Sequence, residues 1–231
     1  MSLQIFQDGA DRGDRLMAYD LELLQRAAQG MIGSTLRFYT WNVPTISLGF
    51  HQADSVLDLP RLTADRMPWT RRPTGGAAVL HSDELTYAIV APLADAGGGK
   101  RLQRYVSISI AEGLCELGVP ADVDERGEPL SALPNRTSCF VRTSRWEVTA
   151  RGRKLVGSAQ RKLGNAYLQH GSILIGDDHL RITDYLAVSN ENARQLLREK
   201  LTSRATTISE ELGRRVNFDD LRHTLANAFA A

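Results

Sequence analysis

Residues 145–175 hold three strand-like runs: Arg145-Trp-Glu-Val-Thr-Ala150, Lys154-Leu-Val-Gly-Ser-Ala-Gln160 and Ala166-Tyr-Leu-Gln-His-Gly-Ser-Ile-Leu-Ile175. Each is short and bounded by glycine or charged residues, the pattern of strands rather than of helix. Gly152 falls where a turn joins the first two. Toward the N-terminus, Glu84 to Val90 alternates through Leu85, Tyr87 and Ile89 and reads as another strand, with a short apolar stretch at Ala77 to Leu80 before it. Thr35-Leu-Arg-Phe-Tyr-Thr-Trp41 and Thr45-Ile-Ser-Leu-Gly49 flank Asn42-Val-Pro44 and read as a hairpin.

Helices are expected around these strands. Leu16, Tyr19, Leu23, Leu24 and Ala27 fall at helical spacing, and Gly30 stands where a glycine would end the helix. Tyr105 to Leu117, closed by Gly118, is amphipathic, and the C-terminal part predicts helices over 190–200 and 217–230 with a short one within 206–212. Residues 92–99 and 122–135 read as loops. Strands and helices do not alternate regularly, which excludes a doubly wound sheet. The expectation is one α+β domain over 1–231, with a mostly antiparallel, partly mixed sheet and flanking helices.

The composition is that of an ordinary globular chain: 231 residues, 42% hydrophobic, 24% charged, net charge +1. A nucleic-acid binder would carry a basic excess. No apolar run approaches the roughly 20 residues that span a bilayer. Residues 1–14 carry acids and no apolar core of a secretion signal, so a cytoplasmic location is expected. The two cysteines are isolated and the five histidines scattered, so no metal is expected.

Four segments can carry chemistry. Arg71-Arg-Pro-Thr-Gly75-Gly76 places paired glycines and two arginines together. Such a loop brings backbone close to a ligand, and its arginines can grip an anion; it is equally a surface turn with solvated charges. Cys139 lies near Arg136, Arg142 and Arg145, which would favour a thiolate; a lone cysteine is also often an inert hydrophobe. Cys115, inside Leu114-Cys-Glu-Leu117, reads as core. Lys154 at the start of a strand can reach into a cleft and polarise a carbonyl, or be an ordinary exposed lysine. His170 is either a hydrogen-bonded core residue or a site residue. Residues 136–162 hold eight basic side chains against Glu147 alone, a possible face for an acidic partner.

Taken together, these segments resemble the lipoate-protein ligase and octanoyltransferase family of the biotin and lipoate ligase superfamily. The resemblance runs from about Leu16 to Leu186. It is carried by Leu36-Arg-Phe-Tyr-Thr-Trp-Asn42, Ile46-Ser-Leu-Gly49, Arg71-Arg-Pro-Thr-Gly-Gly76, Val79-Leu-His81, Glu84-Leu-Thr-Tyr87, Cys139-Phe140, Gly152 to Gln160 and Leu168-Gln-His-Gly-Ser-Ile173. Cys139-Phe140, Gly157-Ser-Ala-Gln160 and Gln169-His-Gly-Ser172 are most similar to the cysteine-dependent octanoyl-carrier-protein:protein N-octanoyltransferases. The resemblance implies Cys139 as nucleophile and Lys154 as the essential pocket lysine. It implies acyl or substrate contacts at Arg71, Arg72, Gly75, Gly76, His81, Gly157, Ser158, Ala159, His170 and Gly171. The resemblance implies transfer of an octanoyl (or lipoyl) group, with octanoyl-acyl carrier protein as donor and a lipoyl-domain or glycine-cleavage H-type protein as acceptor, and with no cofactor. Ser82 departs from the aspartate common in the family, and no C-terminal accessory domain is expected. An ATP- and Mg-dependent lipoate-protein ligase, and a non-catalytic accessory subunit, are the alternatives.

Overall fold

A computed structural model describes residues 2–127, 140 and 145–230. The chain runs β1 (Leu3–Asp11), α1 (Gly13–Ala28), β2 (Ser34–Trp41), β3 (Thr45–Leu48), α2 (Leu59–Ala64), β4 (Trp69–Arg71), β5 (Val79–His81), β6 (Glu84–Pro92), α3 (Leu93–Ala96) and α4 (Gly99–Glu116). It continues through β7 (Ala121–Asp124), β8 (Glu147–Ala150), β9 (Arg153–Lys154), β10 (Val156–Leu163), β11 (Ala166–Leu174), α5 (Glu191–Arg204), α6 (Ile208–Leu212) and α7 (Phe218–Ala230).

The main sheet has the order β1-β2-β6-β11-β10, beside two three-stranded sheets, β4-β3-β5 and β7-β8-β9. Among the described residues only β1–β2 and β3–β4 pair in parallel; the other pairs are antiparallel. This is the α+β, mostly antiparallel architecture expected. Strand alternation sorts the main sheet's side chains onto two faces. Leu36, Phe38, Leu85, Tyr87 and Ile89 pack with Val106, Ile110 and Leu114 of α4 and Leu221, Leu225 and Phe229 of α7. Tyr39, Ala88, Val90 and Leu168 pack on the other face with Leu16, Leu23 and Leu24 of α1. The central strand β6 is thus buried on both sides. Among the described residues, no helix is long and apolar enough to cross a membrane.

Five expectations are corrected. The stretch 92–99 is not loop throughout: Pro92 ends β6, Leu93–Ala96 forms α3 and Gly99 opens α4. β2 and β3 do not form a hairpin: β2 pairs with β1 and β6, whereas β3 pairs with β4 and β5. Val43 and Pro44 disfavour the positive φ that tight hairpin turns require, and the chain leaves the first sheet there. Tyr19 is exposed, and the buried polar position of α1 is its neighbour Asp20. Cys115 is exposed, its thiol directed to Ala121 O at 3.3 Å. The stretch 122–135 is not loop from its start, because Ala121–Asp124 pairs with β8 through the alternating Ala121 and Val123; its later part lies outside the described residues.

Candidate active site

The face of the main sheet covered by α1 holds a partly open cavity. It is lined by Met17 of α1, Tyr39 of β2, Arg72, Val79 and His81, Thr86 of β6, Gly157 to Ala159 of β10 and His170 to Ser172 of β11. Seven of the residues singled out in the sequence, Arg72, His81, Gly157, Ser158, Ala159, His170 and Gly171, therefore line one cavity, Ser158 and Gly171 through their backbone position on the strands. Register sorts the two strands. Gly157 pairs with Ser172 and Ala159 with His170, so these four point to the α1 side, and Ser158 and Gly171 turn the other way.

The glycines are spatial requirements. A Cβ on Gly171 would lie 2.5 Å from Gly157 O and 2.8 Å from the Tyr87 ring. A Cβ on Gly157 would lie 2.8 Å from the ring of Phe140. Gly76 has φ +94°, and Gly49 lies so close that a Cβ there would overlap Gly76 O. Gly75 has open space around it. Arg72, buried, spends its five N–H groups on Ser47 O and Oγ (both 3.1 Å), Gly75 O (3.1 and 2.7 Å) and Ala77 O (2.7 Å). It braces the glycine loop from inside. Arg71 turns away from the cavity, donating to Gly49 O at 2.8 Å and Gln52 O at 2.6 Å and pairing with Asp54.

Two buried carboxylates hold the two histidines. Asp20 Oδ2 meets His170 Nδ1 at 2.8 Å and accepts from Tyr39 OH at 2.9 Å, and its Oδ1 accepts from Arg37 at 3.0 Å. The far nitrogen of His170 lies 2.5 Å from Thr74 Oγ1 on the glycine loop. Glu84 Oε1 meets His81 Nδ1 at 2.7 Å and accepts from Ser172 at 2.8 Å and Thr86 at 2.6 Å. His81 Nε2 lies 2.8 Å from Ser47 Oγ, and its ring stacks on Trp41 at 4.0 Å. Both ring nitrogens of each histidine are thus engaged, which suits them to fixing the wall rather than to carrying protons. Burial lowers the pKa of His170, outweighing the opposing pull of Asp20. Burial likewise pushes the Tyr87 hydroxyl up to about 12, so it stays neutral between Ser158 (2.8 Å) and Gln169 (2.9 Å).

Lys154 stands beside this wall, on the β8–β9 hairpin. Arg151 and Gly152 both have positive φ, the signature of a tight hairpin turn. Its side chain is buried, and Nζ lies 2.7 Å from Glu147 Oε1 and 5.5 Å from the centre of the Phe140 ring. An exposed, ordinary lysine is thereby excluded. Cys139 lies outside the described residues, as do Arg136 and Arg142; its sequence neighbour Phe140 is buried against Gly157. The basic stretch is less open than its count implied: Arg153 pairs with Glu210 and Glu211, Arg151 with Glu211, and Lys154 is internal. Arg161 lies over the exposed Phe50 ring at 4.4 Å, and Lys162 is exposed.

The sequence reading assigned Met17, Tyr39, Thr86, Asp20, Glu84 and Glu147 no site role, although Tyr39, Glu84 and Thr86 lie in its motifs. Asp20 left a signal: it falls four residues after Leu16 and four before Leu24, a carboxylate inside an apolar stripe. Among the described residues, no group of three His, Cys, Asp or Glu side chains is arranged to hold a metal ion.

The lipoyl protein ligase A/B catalytic domain model matches residues 14–230. The octanoyltransferase LipM of Moorella thermoacetica is 39% identical over 92% of this chain and 80% of its own length. The LipM of Symbiobacterium thermophilum is 34% identical over 98% and 85%. In fold, the chain is similar to a lipoate-protein ligase A solved with ATP, at a TM-score of 0.75 and 22% identity, covering 100% of this chain and 85% of that one. A bipartite lipoate protein ligase from Thermoplasma acidophilum gives a TM-score of 0.71 at 19% identity, over 100% and 83%. By sequence and by architecture, the chain belongs to the lipoyl protein ligase A/B catalytic domain family.

Proposed function

We propose that this protein is an acyltransferase of protein lipoylation that carries an octanoyl group on Cys139 and delivers it to the acceptor lysine of a lipoyl-accepting protein. The observation that carries this reading is the buried Lys154 beside Phe140, whose ring packs on Gly157 of the cavity lining. The relatives named octanoyltransferases support it.

The Cys139 thiolate attacks the thioester carbonyl of octanoyl-acyl carrier protein, and the carrier thiolate leaves. The octanoyl-enzyme is itself a thioester, so the exchange is nearly isoenergetic and no ATP is consumed. The acceptor's lysine amine then attacks, the amide forms, the amine loses a proton and Cys139 leaves as thiolate. Lys154 donates to the acyl oxygen as negative charge develops there; one such donor is worth about 3 kcal/mol. Burying the seven CH₂ and CH₃ groups of the chain supplies roughly 5–6 kcal/mol before ordering costs, at about 0.8 kcal/mol each.

The test is to incubate the protein with octanoyl-carrier protein without ATP and weigh it intact. One labile octanoyl adduct is expected on the wild type and none on Cys139→Ala. Full transfer by Cys139→Ala that depends on ATP and Mg would replace this reading with the ligase. No transfer under either condition would leave an accessory subunit.

A further inference from the structure

We propose that Glu147 is the positioning residue of Lys154, supplying a counter-charge that lets an ammonium be buried beside Phe140 and fixing the direction in which it points. The inference rests on the function proposed above and adds a residue that nothing in the sequence reading assigned.

Geometry places the two together by construction. Thr149 pairs with Lys154 across the hairpin, so Glu147, two residues earlier on β8, shares the face of Lys154 and sits diagonal to it. The 2.7 Å contact joins two side chains each 4% exposed. The backbone around them is clamped. Leu155 N donates to Val148 O at 3.0 Å, and Thr206 N donates to Lys154 O at 3.0 Å. The next side chain outward, Arg153, pairs with Glu210 at 2.7 Å and Glu211 at 3.0 Å, and Thr206 Oγ1 donates to Glu211 at 2.7 Å. The hairpin is thus bolted to the segment leading into α6, and Lys154 can vary only along its own stem.

Stability alone gives little reason for such a pair, because a well-packed apolar pair in its place is often as stable or more so. What a carboxylate adds is a charge for the ammonium to lean on. Without it, an ammonium buried beside Phe140 would lose a counter-charge and the direction that the 2.7 Å contact gives it. As a positioning residue, Glu147 touches no substrate and acts through Lys154.

The test compares Glu147→Gln and Glu147→Asp with the wild type by two readouts. In octanoyl transfer, Glu147→Gln is expected to lower kcat by about 10–100-fold with KM for the carrier protein changed less than about twofold, and Glu147→Asp to recover part of the loss. The second readout needs no catalysis: brief labelling by a small amine-acylating reagent at fixed pH, with peptide masses giving the yield at Lys154 relative to exposed Lys162. Glu147→Gln should raise that ratio about tenfold or more, with Glu147→Asp nearer the wild type. A Glu147→Gln variant with wild-type kcat and an unchanged ratio overturns the proposal, as does an equal loss in both variants without a change in the ratio. If the wild type itself moves no octanoyl group, the proposed function fails, and the labelling ratio alone still decides the role of Glu147.

Discussion

The α1-covered wall and the Lys154 hairpin both bury carboxylates, yet they use them differently. Asp20 gathers three groups from two separate strands, Arg37 and Tyr39 of β2 and His170 of β11, onto a helix residue. Glu84 gathers His81, Thr86 and Ser172 onto one oxygen. Partners converging from distant parts of the chain fix the shape of a surface. Glu147 instead faces Lys154 across one short hairpin, and it holds a flexible, charged side chain beside Phe140. The wall is built to hold its form; the hairpin is built to place a charge. Changes in the wall should therefore appear chiefly as lost stability, and changes in the hairpin chiefly as lost chemistry.

The largest effect separates the two regions directly. Lys154→Ala should reduce octanoyl transfer by about 10²–10³-fold, the scale of one lost transition-state donor. Lys162→Ala, on the exposed part of β10, should change it less than about twofold. Steady-state kinetics with carrier-protein substrate measure both. Equal, mild losses would make Lys154 a structural charge and erase the distinction.

Next comes the wall. Asp20→Ala leaves Arg37 buried with one fewer counter-charge and strips His170 and Tyr39 of their partner. A loss of about 3–5 kcal/mol is expected. For a chain of this length that lowers Tm by roughly 6–20 °C, read by calorimetry. A Tm within about 2 °C of the wild type would mean that the network does not hold the wall.

The two wall glycines sharpen the comparison at smaller scale. A methyl on Gly171 meets backbone, Gly157 O at 2.5 Å, which cannot move without parting β10 from β11. Gly171→Ala should cost about 1–3 kcal/mol of stability. A methyl on Gly157 meets the Phe140 ring, a side chain that can turn. Gly157→Ala should cost less than about 1.5 kcal/mol while disturbing the residue beside Cys139, so transfer falls more than stability does. Urea unfolding and kinetics on both variants decide it; the reverse ranking would place the rigid region at Phe140.

Much of this site was legible in the sequence, for a physical reason. Gly157, Gly171 and His170 lie on paired strands in which period-two alternation decides which side chains face the cavity, and that pattern survives in one dimension. Lys154 was placed at a strand start, but its burial was not legible, because the partner that permits it, Glu147, is specified by hairpin register rather than by spacing along the chain. Asp20 was masked by Tyr19, which fits a helical stripe nearly as well by hydrophobicity and turned out to face solvent. The false hairpin of β2 and β3 arose from adjacency: two good strands and a short turn look paired until other strands, distant in sequence, compete for each edge.

The smallest effect concerns pH and belongs to the wall. A histidine beside a carboxylate would ordinarily hold its proton more tightly, yet burial dominates at His170, and its pKa in the folded protein lies below the ordinary value of 6.5. Arg72 and His81 push the same way, and Asp20 opposes them. The folded state therefore binds fewer protons at this position than the unfolded state once pH drops below about 6.5. The stability tied to neutral His170 is complete above that value and declines as pH falls through it, by at most about 1.4 kcal/mol per pH unit. His179, also lowered chiefly by burial, adds a slope of the same sign. His170→Asn removes one titrating group and leaves His179 in place, so its unfolding free energy should fall less steeply between pH 6.5 and 5, whatever its level at pH 7.5. Urea unfolding at three pH values supplies the slopes. A variant as steep as the wild type would mean that His170 does not charge on unfolding in this range, and that its tie to Asp20, rather than burial, sets its state.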